Sequence, residues 1–275
     1  MKSLILQITT ISSLLVLMLS SITGCGGDSP LIKMLKMLPT DIEYVQFADV
    51  RLIIEDHDLA EVYDDWVYYS AIEEIEEVLG IRDREVDYYL EGDCPEGEFA
   101  ILMGDFDIKD IRGELEDHGL SEESYKDMEI WIDDDYGYSE AVLLSEDYII
   151  VGREQEVVEG CIRVIVGSTN SFYEQTGVKT VTDTLKDGFL AYFATSDWYY
   201  DTYDNLLVNG ESLKKKDRDT LKIRHAYIFE DSRDAGDVLE EIEDDFEGTD
   251  EYYSVRVEQS RDMVIANFEM DIEDF

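Results

Sequence analysis

Hydrophobic positions recur along this chain at two spacings, and their alternation predicts an α+β fold. Tyr44–Ala48 reads as a strand. Leu59, Val62, Trp66, Tyr69, Ile72, Ile75 and Leu79 follow at steps of three and four, which predicts one amphipathic helix over 59–79. Phe99–Met103 is an unbroken apolar run, the pattern of a strand covered on both faces. Ile108, Ile111 and Leu115 mark a helix, and Met128, Ile130 and Ile132 an alternating strand. Ala141–Leu144 and Tyr148–Val151 make a hairpin, and Val157, Val158, Cys161, Ile162 and Ile165 close this half as a helix.

The order then restarts. Phe189–Ala194 and His225–Phe229 read as strands, Ala235, Val238, Ile242 and Phe246 as a helix, and Val255/Val257 with Met263–Phe268 as a hairpin. Ala100–Met103 matches Ala226–Phe229 at one offset. Ile108, Ile111 and Leu115 match Ala235, Val238 and Ile242 one residue later, as do Met128/Ile130 and Val255/Val257. The pattern predicts two related subdomains, over 40–170 and 171–275. Each is expected to be an antiparallel or mixed sheet with helices packed on one face.

The amino terminus differs from the body. Lys2 precedes an apolar run from Leu4 to Leu19, the order of a secretory signal peptide over residues 1–24. Ser21-Ile22-Thr23-Gly24-Cys25 resembles the lipobox of bacterial lipoproteins. The resemblance implies cleavage before Cys25, lipidation of that residue and tethering on the extracytoplasmic side of a membrane. Residues 25–39 then hold a short linker and a small helix, Leu31–Leu38, stopped by Pro39. The stretch from Ile101 to Asp107, with Ile111–Leu115 and Tyr125–Trp131, is similar to exported bacterial lipoproteins whose α+β domains have no known function. That resemblance brings no catalytic residues.

Charge excludes one class outright. The 275 residues hold 67 Asp+Glu against 22 Lys+Arg, a formal charge of −45. Nucleic-acid binding through phosphates needs the opposite sign, so nucleic acid is not a partner. A hydrophobic fraction of 44% and an aromatic fraction of 11% argue for a packed core rather than disorder.

Catalytic motifs are missing, and no catalytic residue is assigned. His57, His118 and His225 lack zinc-ligand spacing. Hard-oxygen clusters at Asp105, Asp107 and Asp110 and at Asp133 and Asp135 could take Ca²⁺, the one cofactor considered. Asp107 and Asp110 also sit where a helix starts, which favours acids without any metal. Trp198, Tyr199 and Tyr203 could form an aromatic ligand surface or pack in the core. Cys94 and Cys161 could bridge in an exported protein, or Cys161 could be a buried free thiol on its helix. Six basic residues from Lys214 to Arg224 are the sole basic cluster, either a solvated connector or a dock for anions. The expectation is a lipid-anchored, non-catalytic binding or envelope module. Its alternatives are a solute- or metal-binding lipoprotein of a transport system, and an exported hydrolase with a site between the halves.

Overall fold

Short turns and alternating apolar residues build one antiparallel sheet, seen in a computed structural model that describes residues 28–59, 62–63, 70–133, 140–195 and 203–275. Its first half supplies β1 (Tyr44–Ala48), β2 (Val86–Cys94), β3 (Gly97–Gly104), β4 (Ser121–Tyr125), β5 (Met128–Asp133), β6 (Glu140–Leu144) and β7 (Ile149–Gly152). The second supplies β8 (Leu190–Thr195), β9 (Leu206–Lys215), β10 (Thr220–Phe229), β11 (Tyr253–Ser260) and β12 (Met263–Asp271). The strand order is β11-β12-β10-β9-β8-β1-β2-β3-β7-β6-β5-β4. Every pairing is antiparallel, and the short connections of the β2–β3, β4–β5, β6–β7, β9–β10 and β11–β12 hairpins require it there. Lys126 and Asp127 show how: both have positive φ, 50° and 66°, and close a two-residue hairpin between β4 and β5.

The described helices are α1 (Pro30–Leu35), α2 (Val50–Glu55), α3 (Ile72–Leu79), α4 (Ile108–Asp117), α5 (Gln155–Ile165), α6 (Val178–Leu185), α7 (Ser232–Asp237) and α8 (Leu239–Glu247). They cover both faces of the sheet, not the one face expected. One layer takes Val50, Ile53, Ile75, Leu79, Ile111, Leu115, Ala235 and Ile242 from α2, α3, α4, α7 and α8. The other takes Leu31, Leu35, Val158, Cys161, Val181 and Leu185 from α1, α5 and α6. A central strand must then be apolar on both sides, and β3 is: Phe99 and Ile101 point into one layer, Ala100 and Leu102 into the other.

Three other expectations change. Ser70 and Ala71 are not helical, so the helix drawn over 59–79 is broken and α3 starts only at Ile72. Ile72, Ile75 and Leu79 do form its buried face, and Gly80 ends it in the left-handed conformation at φ 64°. The Lys214–Arg224 connector is instead the end of a long β9–β10 hairpin. The third internal match also fails in place. Met128/Ile130 lie on β5, the second strand of its hairpin, whereas Val255/Val257 lie on β11, the first of its own.

Candidate functional site

The two core layers differ in what they bury. On the α1–α5–α6 side the central strands contribute apolar residues, among them Val45, Phe47, Leu90, Ile101 and Phe193. A polar row crosses the other layer. Directly opposed residues on antiparallel strands point to the same face. The register therefore sets Glu91 (β2), Gln46 (β1), Tyr192 (β8), Glu211 (β9) and His225 (β10) side by side. At the interstrand spacing they span about 19 Å across the β1–β8 junction.

Hydrogen bonds fix the row. The buried Tyr89 hydroxyl donates to Glu91 Oε2 at 2.8 Å, and the Ala71 N–H donates to the same oxygen at 3.0 Å. The Tyr44 hydroxyl donates to Gln46 Oε1 at 3.2 Å. At the far end His225 Nε2 contacts Glu211 Oε2, while the Tyr227 hydroxyl lies 3.2 Å from His225 Nδ1. The imidazole packs against Phe246 and Phe268, with ring centroids 5.0 and 5.5 Å away. Burial raises the Glu91 carboxyl above the usual carboxylate range, opposed by its two donors and reinforced by Glu98. Burial, then the nearby Glu211 and Glu91 carboxylates, pushes the Tyr192 phenol well up.

At Glu91 the row meets a cleft of about 350 Å³ between α3 and the sheet. Ile75, Val78 and Leu79 form its helical wall, and Ala100, Val142 and Val151 its apolar floor. Its lining includes Glu74, Glu91, Asp93, Glu98 and Glu140 against one base, Arg153, which already pairs with Glu98 at 2.8 Å. Gly92 lets β1 and β2 approach under this floor: a Cβ there would stand 2.2 Å from the Tyr44 carbonyl oxygen.

The residues singled out in the sequence lie elsewhere. Asp107 caps α4, accepting from the N–H groups of Lys109 at 3.1 Å and Asp110 at 3.3 Å, which is a structural use of the acid. Asp105 and Asp133 join no metal-binding group: among the described residues, no three His, Cys, Asp or Glu side chains converge on a metal-sized site. Asp135, Trp198, Tyr199 and Cys25 lie outside the described residues. Tyr203 is engaged in packing; its hydroxyl donates to Asp245 at 2.8 Å and its ring meets Tyr227 edge-on at 5.8 Å. Cys94 and Cys161 form no disulfide. Both are buried free thiols, Cys94 at the end of β2, and burial pushes each thiol up to about 12.

Sequence spacing missed the polar row because its members come from five separate strands. The one local signal is a polar residue inside an apolar strand: Gln46 within Tyr44–Ala48, and Glu91 after Tyr89-Leu90.

No protein-family model and no curated protein matches the chain. Solved structures of TP0453 do, in three crystal forms. Form III aligns with a TM-score of 0.53 at 6% identity, covering 87% of this chain and 94% of that one. Forms IV and I give TM-scores of 0.53 and 0.52 at 7% identity, each covering 87% of this chain and 93% of that one. At such identity the likeness concerns the fold alone.

Proposed function

We propose that the protein is a lipid-anchored, extracytoplasmic, non-catalytic binding module whose ligand enters the cleft under α3. One observation carries the reading: a cavity with an apolar floor whose lining includes five carboxylates and one already paired base. Its complement is a small molecule with an apolar body and a cationic head. Carboxylates focused at a low-dielectric cleft raise the local concentration of such a cation, and the chain's net charge adds to the attraction. The anchor rests on the lipobox-like segment ending at Cys25. Among the described residues no helix is long and apolar enough to cross a membrane.

The reading includes two related subdomains. The order β1-β2-β3-α4-β4-β5 recurs as β8-β9-β10-α7/α8-β11-β12, and the two series meet where β1 pairs with β8. On this view the β6–β7 hairpin is an insertion that widens the first half. It also supplies Val142 and Val151 to the cleft floor, so the ligand site belongs to the half with the extra strands.

Thermal shifts with protonated octylamine and with octanoate, at matched ionic strength, test the cleft. At about a hundred times its dissociation constant a ligand adds about 2.7 kcal/mol, or roughly 5–10 °C for a chain of this size. Octylamine is expected to give such a shift, octanoate none, and Val78→Trp, which fills the cleft, should remove it. Equal shifts from both compounds, or an octylamine shift unchanged by Val78→Trp, would rule the site out.

A further inference from the structure

The two faces of the molecule carry different charge. The described helices of the polar-row face, α2, α3, α4, α7 and α8, hold 17 acids against 4 bases. Those of the opposite face, α1, α5 and α6, hold 3 against 3. On that second face the sheet is basic where α6 leaves it open. Lys214 and Lys222 stand directly opposite each other on β9 and β10, and Arg224 follows two residues on. Like charges so placed destabilise a strand pair, and 67 acids elsewhere in the chain show that neutralising residues are plentiful. Yet neither lysine has a charged partner among the described residues, and Arg224 donates only to neutral oxygens, Asn267 Oδ1 at 2.9 Å and the Thr184 carbonyl at 3.3 Å. The acids beside them are already paired, Glu269 with Lys216 at 2.7 Å and Glu258 with Arg256 at 2.9 Å. A groove of about 270 Å³ runs between Lys222, Arg224 and Arg256.

Register puts this patch in the same row as the sheet edge under α1, three strands away, about 14 Å. Leu213 faces Leu190, Leu190 faces Ala48, Ala48 faces Tyr89 and Tyr89 faces Leu102, a single row across the sheet. One step further out, toward Lys214, lie Tyr88 and Met103. Together with Lys33 and Lys36 of α1 and its flank, and with Asp28, Asp87 and Asp147, they line a second groove, of about 620 Å³. Lys36 pairs with Asp28 at 2.6 Å, and Lys33 has no partner among the described residues. Only three residue steps separate Cys25 from Asp28, a reach of at most about 11 Å. An acyl group on Cys25 would hold this end of this face within about a nanometre of the headgroups.

We propose that this surface, Lys33 together with Lys214, Lys222 and Arg224, docks on the phosphates of anionic phospholipids in the leaflet that holds the anchor. The proposal rests on the lipid-anchor reading and adds an orientation to it. Lysines supply mobile point charges and Arg224 a fork, both suited to phosphate oxygens. Docked this way, the acidic helices point away from the like-charged surface. The α3 cleft lies on the opposite face, toward the Asp93/Glu98 end of the sheet, so it stays open to solvent. A body of charge −45 can then sit close to an anionic membrane, because the charge it turns toward the membrane is not the charge it carries overall.

The test uses the mature lipidated protein in vesicles that carry a headgroup-attached nitroxide quencher. A fluorophore is placed at Ser254→Cys, beside the groove, or at Glu243→Cys on α8; the native thiols are buried and react slowly. In phosphatidylglycerol vesicles at low salt, the Ser254 probe should be quenched at least threefold more than the Glu243 probe. That difference should vanish in phosphatidylcholine, in 1 M salt, and in the Lys214→Glu/Lys222→Glu double variant, with Lys214→Gln/Lys222→Gln as the milder control. Equal quenching of the two probes, or a difference that survives the lysine substitutions, overturns the docking surface. Flotation with vesicles in 1 M salt reports the anchor separately. Protein left behind there refutes lipidation and leaves the low-salt comparison of faces intact.

Discussion

The two layers of this molecule share their strands and both bury large apolar residues, yet the row of ionisable side chains from Glu91 to His225 crosses only one of them. The α1–α5–α6 layer holds two thiols whose burial keeps them protonated, and is built from large apolar side chains with Thr182 and Ser212 buried among them. The other layer is one apolar cluster from α3 to α7–α8, and the row from Glu91 to His225 runs across its sheet. One sheet can do both because successive residues of a strand face opposite ways. The comparison suggests a division of labour, with stability drawn mainly from one layer and recognition placed on the other.

Neighbouring residues on β8 offer the sharpest way to break that comparison. Phe193 is fully buried in the α1–α5–α6 layer, while Tyr192 points into the polar row. Phe193→Ala is expected to cost about 3–5 kcal/mol in denaturant unfolding, by lost transfer and an unfilled cavity. Tyr192→Phe keeps the ring and should cost less than about 1 kcal/mol. Comparable losses at the two positions would show that both layers bear the fold equally.

Glu91 gives a smaller effect with a definite sign. Its folded carboxyl binds a proton more tightly than the unfolded one, because burial penalises the charged form. Between the ordinary carboxylate range and the raised folded value the native state holds the extra proton. Stability therefore falls as pH rises through that window, and the penalty persists above it. Glu91→Gln retains an acceptor for Tyr89 and Ala71 and removes the charge. It should melt higher than the parent at neutral pH, match it in acid, and respond less to octylamine. A neutral-pH melting temperature below the parent's would mean that the charged form is stabilised by its donors more than burial penalises it.

How far the sequence discloses this architecture depends on where each signal is stored. Strands covered on both sides, such as Phe99–Met103, carry it in their own composition, and α5 carries it in a clean helical period. β2 and β9 hide it. Tyr-Tyr-Leu-Glu-Gly and Asn-Gly-Glu-Ser interrupt the apolar pattern where the polar row and close glycine contacts intervene, and these mask the strands there. The helix drawn through 59–79 has unbroken periodicity, yet nothing in a period reveals the bend at Ser70-Ala71 whose N–H serves Glu91. The site is the least legible part. A cross-strand row needs the register, and the register is set by turns and core packing that no local pattern encodes. The charge asymmetry is legible in principle, since α3 and α8 contain no base at all, but assigning helices to faces requires the sheet.

The smallest expected effect separates local charge from total charge. On α8, Glu243 stands one turn from Glu247 and from Glu240, with no base in the helix to relieve it. Glu243→Lys turns these repulsions into attractions and should stabilise by about 0.3–0.5 kcal/mol per pair at low salt. Glu156→Lys makes the same change in net charge on α5. There the face is nearly neutral, and the acid sits in the first turn, where the helix dipole favours it. It should give no gain, or a small loss. In 1 M salt, where screening acts within about 3 Å, the two variants should converge on the parent. If both substitutions stabilise equally at low salt, the −45 acts as one diffuse charge and the electrical two-sidedness has no energetic meaning. If only Glu243→Lys does, the repulsion is concentrated on the face that the proposed docking turns away from the membrane.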